Sequence, residues 1–168
     1  MVTGLLVVAA VIALFLVVAA VRPSAYRVER TLEIAPPERV FPLLSDVRLF
    51  SKVFVLFGAP LEKRDPQLQQ TFEGQSFAWS GKEAGKGKLT IAETVPNQKV
   101  VVQLEFIEPM ASKATLVLTL AGSSVTWAME GHHNFIGRAA GVFMNLENML
   151  AKDIEKSLEE LKGVVASR

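Results

Sequence analysis

The sequence predicts an α+β fold in which a strongly twisted antiparallel sheet packs against a long C-terminal helix, preceded by one transmembrane helix. Residues 1–21 carry no charge, and several segments between residues 26 and 129 alternate polar and apolar side chains. After about residue 137, apolar residues recur every three or four positions. Alternation indicates half-buried strands, and the longer spacing indicates an amphipathic helix. Strands followed by a helix are typical of a layered α+β fold.

The uncharged N-terminal run predicts a membrane anchor. Residues 5–21 are all Leu, Val, Ala, Ile or Phe, and Arg22 and Pro23 end the run. Residues 2–21 in a helix would span roughly 30 Å, the thickness of a bilayer's hydrocarbon core. Tyr26 follows where an interfacial aromatic residue would lie. The sequence therefore predicts an anchor over residues 1–21 and a single domain over residues 22–168.

A cleaved signal peptide is the competing interpretation of this run, since residues 18–20 (Val-Ala-Ala) resemble a cleavage site. Signal peptides usually carry a basic N-terminal region and an apolar stretch of about 7–15 residues. No Lys or Arg precedes Arg22, so an uncleaved anchor is favoured. The arginines that follow the run slightly favour a cytoplasmic domain by the positive-inside rule. The chain has no Cys, which excludes a lipidated cysteine anchor.

The charge balance of the domain argues against nucleic acid as a partner. The chain carries 18 basic and 17 acidic residues, for a formal net charge of +1. Nucleic-acid binding needs a basic face. The domain has the usual size of one folding unit, large enough for a core or a lined cavity.

The first elements of the domain are a strand and two short helices. Residues 26–34 alternate, and the Pro36-Pro37 pair then ends the strand and starts a helix over residues 37–45. Asp46 is a candidate N-cap for a second short helix through residue 50. The apolar run 53–57 fits either a strand or a buried helix.

A meander of antiparallel strands and a final helix complete the prediction. Turn residues separate strands at 69–72, 75–80, 88–95, about 100–106, 114–120 and 125–129. The spacing of apolar residues from Phe143 to Val165 then predicts one long amphipathic helix over about residues 137–166. A twisted sheet with a helix across its concave face leaves space between the two layers.

Several segments, in this order, resemble one known family. They are YRVER (26–30), IAPPERVF (34–41), FAWSG (77–81), VTWAM (125–129), FMN (143–145) and DIEKSL (153–158). Together they resemble the START-like helix-grip superfamily, also called SRPBCC, and within it the polyketide cyclase/dehydrase-type branch with an N-terminal membrane anchor. The resemblance implies a helix-grip fold over nearly all of residues 22–168 and binding of an apolar small molecule or lipid in its cavity. Only some members are enzymes.

Two segments depart from the family pattern. Residues 49–57 lack the tryptophan usual in the loop after the second short helix, and the hairpin at residues 73–75 is short. In this family both segments border the cavity mouth, so the identity of the ligand does not carry over from the resemblance.

The sequence contains no set of residues that demands catalysis. It has no Cys nucleophile and no Ser in a Gly-x-Ser-x-Gly elbow. His132 and His133 are the only histidines, and adjacent positions on an extended segment point to opposite sides, so they do not readily share a metal. We expect a polar loop there, with His132 at the cavity mouth as the alternative. No metal and no cofactor is expected.

Two charged residues fall on apolar strand faces. Alternation places Arg30 on the inner face of the first strand and Glu93 beside Leu89 and Ile91. A buried guanidinium needs a partner. Arg30 is expected to pair with a carboxylate, with Glu93 as the candidate, to reach solvent, or to anchor an anionic head group.

Large apolar residues on the inner faces are the candidate lining of the cavity. They are Trp79, Leu104, Phe106, Leu118, Trp127 and Phe143. Three functions remain open from the sequence: a membrane-tethered module that binds or transfers an apolar ligand, a polyketide cyclase/dehydrase-like enzyme, and a regulatory interaction domain with a filled core.

Overall fold

The computed structural model describes residues 2–168. Its helices are α1 (Val2–Val21), α2 (Pro37–Leu44), α3 (Val47–Val53), α4 (Leu61–Arg64), α5 (Phe135–Ala140) and α6 (Leu146–Ala166). Its strands are β1 (Ala25–Glu33), β2 (Val55–Leu56), β3 (Ala59–Pro60), β4 (Gln69–Glu73), β5 (Ser76–Gly81), β6 (Gly85–Val95), β7 (Lys99–Glu108), β8 (Ser112–Ala121) and β9 (Ser124–His132).

Seven antiparallel strands form one sheet in the order β1-β9-β8-β7-β6-β5-β4, and β2 and β3 form a separate small hairpin. The first strand pairs with the last, so Val28 lies opposite Met129 and Arg30 opposite Trp127. Helix α6 crosses the inner face of the sheet and contacts β1 and β9. The α+β class, the antiparallel sheet, the C-terminal helix and the apolar N-terminal helix are confirmed.

Local signals in the sequence set the ends of the short helices. Pro37 begins α2, and the Asp46 carboxylate accepts the N–H of Arg48 at 2.8 Å to cap α3. The ambiguous run 53–57 divides between the end of α3 and strand β2. Each of these segments packs its apolar face against the sheet or α6.

The prediction of one continuous helix from residue 137 is wrong. Helix α5 ends at Ala140, residues 141–145 turn, and α6 begins at Leu146. The side-chain oxygen of Asn145 accepts the N–H of Asn148 at 2.9 Å, so it caps a new helix. A side-chain acceptor at this position favours a helix start, which the spacing of apolar residues alone does not reveal.

An aromatic cluster fills the core at the centre of the sheet. The rings of Phe50 and Trp127 lie 5.5 Å apart, and those of Phe77 and Trp79 lie 5.8 Å apart. Phe54 joins the cluster, 6.4 Å from Trp79. Aromatic pairs at these separations stabilise the core beyond their area burial. The space between the layers is therefore closed at the centre of the sheet.

The N-terminal helix packs against α5 near its own C-terminal end. Ala19 is buried, and the Phe15 ring stacks on Phe143 with ring centres 5.4 Å apart. Arg138 donates to the carbonyl oxygen of Ala20 at 2.9 Å. Most other side chains of α1 are exposed. Helix α1 is long and apolar enough to span a membrane.

Candidate functional site

An apolar cavity lies between one end of the sheet and the beginning of α6. Its volume is about 220 Å³. The sheet, α6, the β2–β3 turn and α5 all contribute to its wall. The apolar lining residues include Tyr26, Leu56, Phe106, Met110, Met129, Leu146, Met149 and Leu150. A concave, mostly apolar site with a few polar groups is typical of small-molecule binding.

A narrow inner chamber continues from the cavity toward the core. Its volume is about 20 Å³, and Leu56, Met129, Leu150 and Asp153 border both spaces. Trp127 borders the inner chamber. Its indole N–H is buried and finds no hydrogen-bond acceptor among residues 2–168. Buried indole N–H groups usually have a partner, so the Trp127 N–H retains a hydrogen-bonding capacity that residues 2–168 do not use.

The β2–β3 turn forms one side of the cavity mouth. Phe57 and Gly58 both have positive φ angles, 53° and 93°. A bulky residue in this conformation is rare because its Cβ is crowded. The Asp153 carboxylate holds the turn, with Oδ2 accepting the Phe57 N–H and Oδ1 the Gly58 N–H, each at 2.8 Å. Lys156 and Arg64 donate to the two carbonyl oxygens of the turn, at 3.0 and 2.7 Å.

The cavity wall perturbs the ionisation of Asp153. Burial raises its pKa, and this effect outweighs the backbone hydrogen bonds from Gly58 and Phe57 and the positive charges of Lys156 and Arg64, which lower it. Because both oxygens are engaged by the turn, the carboxylate serves first as a structural clasp.

A stack of two rings lies at the opposite side of the mouth. The His133 imidazole packs on the Tyr26 ring with centres 4.4 Å apart. Its Nε2 is buried, lacks a hydrogen-bond partner among the described residues, and lies 3.6 Å from Oε1 of Glu147. Burial raises the pKa of Tyr26, and the Glu147 carboxylate raises it further. His132 is the last residue of β9 and not part of a loop; it is exposed and borders the cavity.

Five of the six apolar candidates lie in the cavity wall, beside the inner chamber or in the core. Phe106 lines the cavity, whereas Leu104 and Trp127 border the inner chamber. Trp79 is buried behind Phe106, with ring centres 6.3 Å apart. Leu118 is fully buried in the core.

Phe143 lies outside the cavity, contrary to expectation. Phe143 is 80% exposed, and its ring stacks on the ring of Phe15. The predicted position assumed a continuous helix that faces the sheet. Since the chain turns after Ala140, Phe143 points away from the cavity and toward α1.

Arg30 and Glu93 are not partners, and neither lines the cavity. Arg30 is on the inner face, opposite Trp127, but β1 is an edge strand and the side chain extends to Glu155 of α6, with Nε to Oε1 at 2.9 Å. Glu93 pairs with Lys99 at 2.9 Å. A bulge at Ala92 shifts the register, so Glu93 lies opposite Val101 on the outer face.

The sequence argument missed most of the wall that α6 and the strand ends provide. Met129 and Tyr26 continue inner faces that the alternation had already identified. Leu146, Met149 and Leu150 belong to the apolar spacing of the last helix, so the correct helix start would have placed them at the mouth. Within residues 2–168 no group of three His, Asp or Glu side chains is arranged to hold a metal ion.

Comparison with known proteins shows the fold alone. No protein-family model matches the sequence, and no curated protein matches it. Protein CV1439 from Chromobacterium violaceum has a similar structure, with a TM-score of 0.54 at 18% identity, over 86% of this chain and 98% of that chain. Protein SA2116 from Staphylococcus aureus, of unknown function, gives a TM-score of 0.58 at 8% identity, over 88% and 97%.

A third similar structure is the di-domain ARO/CYC StfQ from the steffimycin biosynthetic pathway. Its TM-score is 0.60 at 12% identity, and the match covers 86% of this chain and 52% of that chain. These likenesses agree with a helix-grip, polyketide cyclase-like fold. Fold at this level of identity does not determine function, which has to be argued from the cavity.

Proposed function

We propose that this chain binds an apolar small molecule or lipid in the cavity while α1 holds the domain at a membrane. The observation that carries the proposal is the cavity itself, which has a volume of about 220 Å³, largely apolar walls and partial access to solvent. A filled-core interaction domain would not need this space, so the cavity argues against that alternative.

The size of the cavity restricts the ligand. Ligand pockets commonly measure about 300–1,000 Å³, and this cavity lies just below that range. It suits a compact ring system or part of an acyl chain. The rest of a larger lipid would remain at the mouth, between the Phe57 turn and α5.

The expected affinity explains the value of a membrane tether. A ligand that buries about 200 Å² of apolar surface gains about 5 kcal/mol at about 25 cal/mol per Å². Association costs of about 4 kcal/mol or more leave weak binding from water. An apolar ligand concentrates in the bilayer, and only residues 22–24 separate α1 from β1. Tethering therefore raises the ligand concentration that the cavity meets.

The unpartnered indole N–H refines the class of ligand. A ligand that presents a carbonyl, carboxyl or hydroxyl oxygen at its leading end would satisfy Trp127 in the inner chamber. Because a buried donor without a partner is costly, this contact would favour oxygen-bearing ligands over pure hydrocarbons.

A cavity-filling variant tests the proposal. Leu150→Trp places an indole where the cavity and inner chamber meet, and Val101→Trp adds the same group on the outer face of the sheet as a control. The full chain in nanodiscs is titrated with a fluorescent fatty acid. The wild type and Val101→Trp should bind it, and Leu150→Trp should not. Equal binding by all three chains would exclude the cavity as the site.

A cyclase-like enzyme is the second candidate function. It is supported by the fold likeness to an ARO/CYC protein and by titratable groups at the mouth, where His133 stacks on Tyr26 near Glu147. An imidazole beside a carboxylate can move protons. The enzyme hypothesis predicts conversion of a poly-β-ketone analogue that is lost in His133→Gln. The binding hypothesis predicts that the analogue is recovered unchanged.

A further inference from the structure

The contact between α1 and the α5–α6 connection fixes the height of that connection relative to the anchor. Phe143 stacks on Phe15, which lies six residues before Val21, the last residue of α1. At 1.5 Å per residue this separation is about 9 Å along the helix axis. If α1 spans a bilayer up to Val21, Phe143 lies about 9 Å below the membrane boundary.

The same connection exposes a group of apolar side chains. The exposed fractions are 44% for Phe135, 59% for Ile136, 80% for Phe143 and 47% for Met144. Phe143 adjoins α1 through its stack on Phe15, and α1 packs directly on α5. Contiguous exposed apolar surface of this kind marks an interaction site.

The backbone hydrogen bonds of this connection suit an apolar environment. In the turn after α5, the N–H groups of Val142, Phe143 and Met144 donate to carbonyl oxygens of Ala139 and Ala140. These three N–H groups are therefore satisfied within the segment, which lowers the cost of placing them in an apolar environment.

Two arginines join the helix ends at one level. Arg138 donates to the Ala20 carbonyl oxygen, and Arg22 donates to that of Gly141. Both guanidinium groups bind carbonyls near the C-terminal ends of α1 and α5, which have no partner within their own helix. Basic side chains at this level can also reach lipid phosphates.

We propose that residues 135–144 insert into the same bilayer leaflet as the end of α1, so that the cavity opens toward the membrane interior. Asn134 and Gly137 form part of the cavity wall, and α1 covers another side of α5. An apolar ligand would then pass between bilayer and cavity beside α5 without crossing water. This inference rests on the proposed membrane tether and adds the route of entry.

Site-directed fluorescence can test the insertion, because the chain has no native Cys. Single variants Phe143→Cys and Ile136→Cys are labelled with an environment-sensitive dye in the full chain, in nanodiscs that hold one copy. Val8→Cys in α1 reports the anchor. Ala121→Cys, exposed near the hairpin end of β8, is the matched aqueous control. Lipids with a nitroxide at carbon 5 serve as quenchers.

Insertion predicts blue-shifted emission and loss of intensity to lipid nitroxides at positions 143, 136 and 8, with neither change at position 121. Quenching at position 8 alone would overturn the inference and leave the tether intact. Aqueous emission at position 8 would overturn the tether and the inference together. A blue shift at position 143 that lipid nitroxides do not quench would show that another part of the same chain covers the segment, and would overturn insertion.

Discussion

Asp153 on α6 fastens Phe57 at the cavity mouth, since its Oδ2 accepts the Phe57 N–H at 2.8 Å while Oδ1 accepts that of Gly58 at the same distance. One carboxylate thus connects the last helix to the β2–β3 turn. The turn carries a bulky residue at φ 53°, a conformation that persists only where the surroundings enforce it. The Asp153 carboxylate therefore fixes the turn on one side of the mouth and maintains its strained backbone.

Asp153→Asn should loosen this clasp. The amide group keeps one acceptor oxygen and leaves one turn N–H without a partner, at a cost of about 1–3 kcal/mol. Amide hydrogen exchange at Phe57 and Gly58 should accelerate, and a bound fluorescent fatty acid should dissociate faster. Glu155→Gln is the control on the same helix, because its exposed pair with Arg30 contributes less than about 1 kcal/mol. Equal effects of the two variants would contradict the clasp.

Trp127→Phe should separate packing from hydrogen bonding in the inner chamber. Phenylalanine retains most of the apolar ring and removes the unsatisfied N–H, so the free energy of unfolding should change by less than about 1.5 kcal/mol. Trp127→Ala removes a fully buried ring and should cost about 3–5 kcal/mol.

Ligand titrations complete the Trp127 test. Trp127→Phe should weaken binding of a fatty acid or fatty alcohol and leave a hydrocarbon probe unaffected. Arg30→Met, outside the cavity, should leave both titrations unchanged. Similar losses for both kinds of probe in Trp127→Phe would mean that the N–H makes no contact with the ligand.

The free energy of unfolding of the domain should decrease at acid pH because of Asp65. The backbone N–H of Glu83 and those of Gln67 and Ala84 lower its pKa below the ordinary 3.8, although burial opposes them. A depressed folded-state pKa gives stability that is present above the unfolded value and is lost as the pH falls through the folded value.

The comparison with Asp65→Asn measures this contribution. In urea unfolding, the gap between wild type and variant should be largest at about pH 7 and should narrow at about pH 3. A gap of constant size at both pH values would assign the loss to altered packing near Gly81 instead of the carboxylate charge.

The connection before α6 should open more easily than α6 itself. Segment 132–145 contains the short helix α5, a turn and two glycines, whereas residues 150–162 lie within a helix that packs on the sheet. Local stability follows buried contacts and helix propensity. In the domain of residues 22–168 without a bilayer, where no lipid covers the segment, hydrogen exchange should be faster in 132–145 than in 150–162. Uniform protection across both segments would contradict this difference in local stability.

The sequence carried enough information for the layers of the fold but not for the details of the site. Alternation placed Val28, Arg30 and Trp127 on one face because side chains in a strand repeat every two residues. It failed at Glu93, since one bulge residue at Ala92 reverses every later position in that strand. The alternation of polar and apolar residues in the sequence does not reveal such a bulge.

Contacts between residues far apart in the sequence are the second feature that the sequence did not predict. Arg30 has several carboxylates within reach of an edge strand, and only the folded arrangement selects Glu155. Phe143 was misplaced because its apolar character fits either the core or a surface that contacts α1. The N-cap at Asn145 starts α6 after Phe143, so Phe143 lies in the turn before the helix and not on its inner face.

Photoaffinity labelling in the membrane is the most direct test of apolar ligand binding in the cavity. The full chain in nanodiscs is exposed to a photoactivatable fatty acid, and the modified residues are located by peptide mass spectrometry with and without excess unlabelled fatty acid. Binding in the cavity predicts that the cavity-lining residues Phe106, Met129, Met149 and Leu150 are labelled, and that excess unlabelled fatty acid reduces this labelling. Labels confined to α1, or cavity labels that excess fatty acid does not reduce, would contradict a binding function.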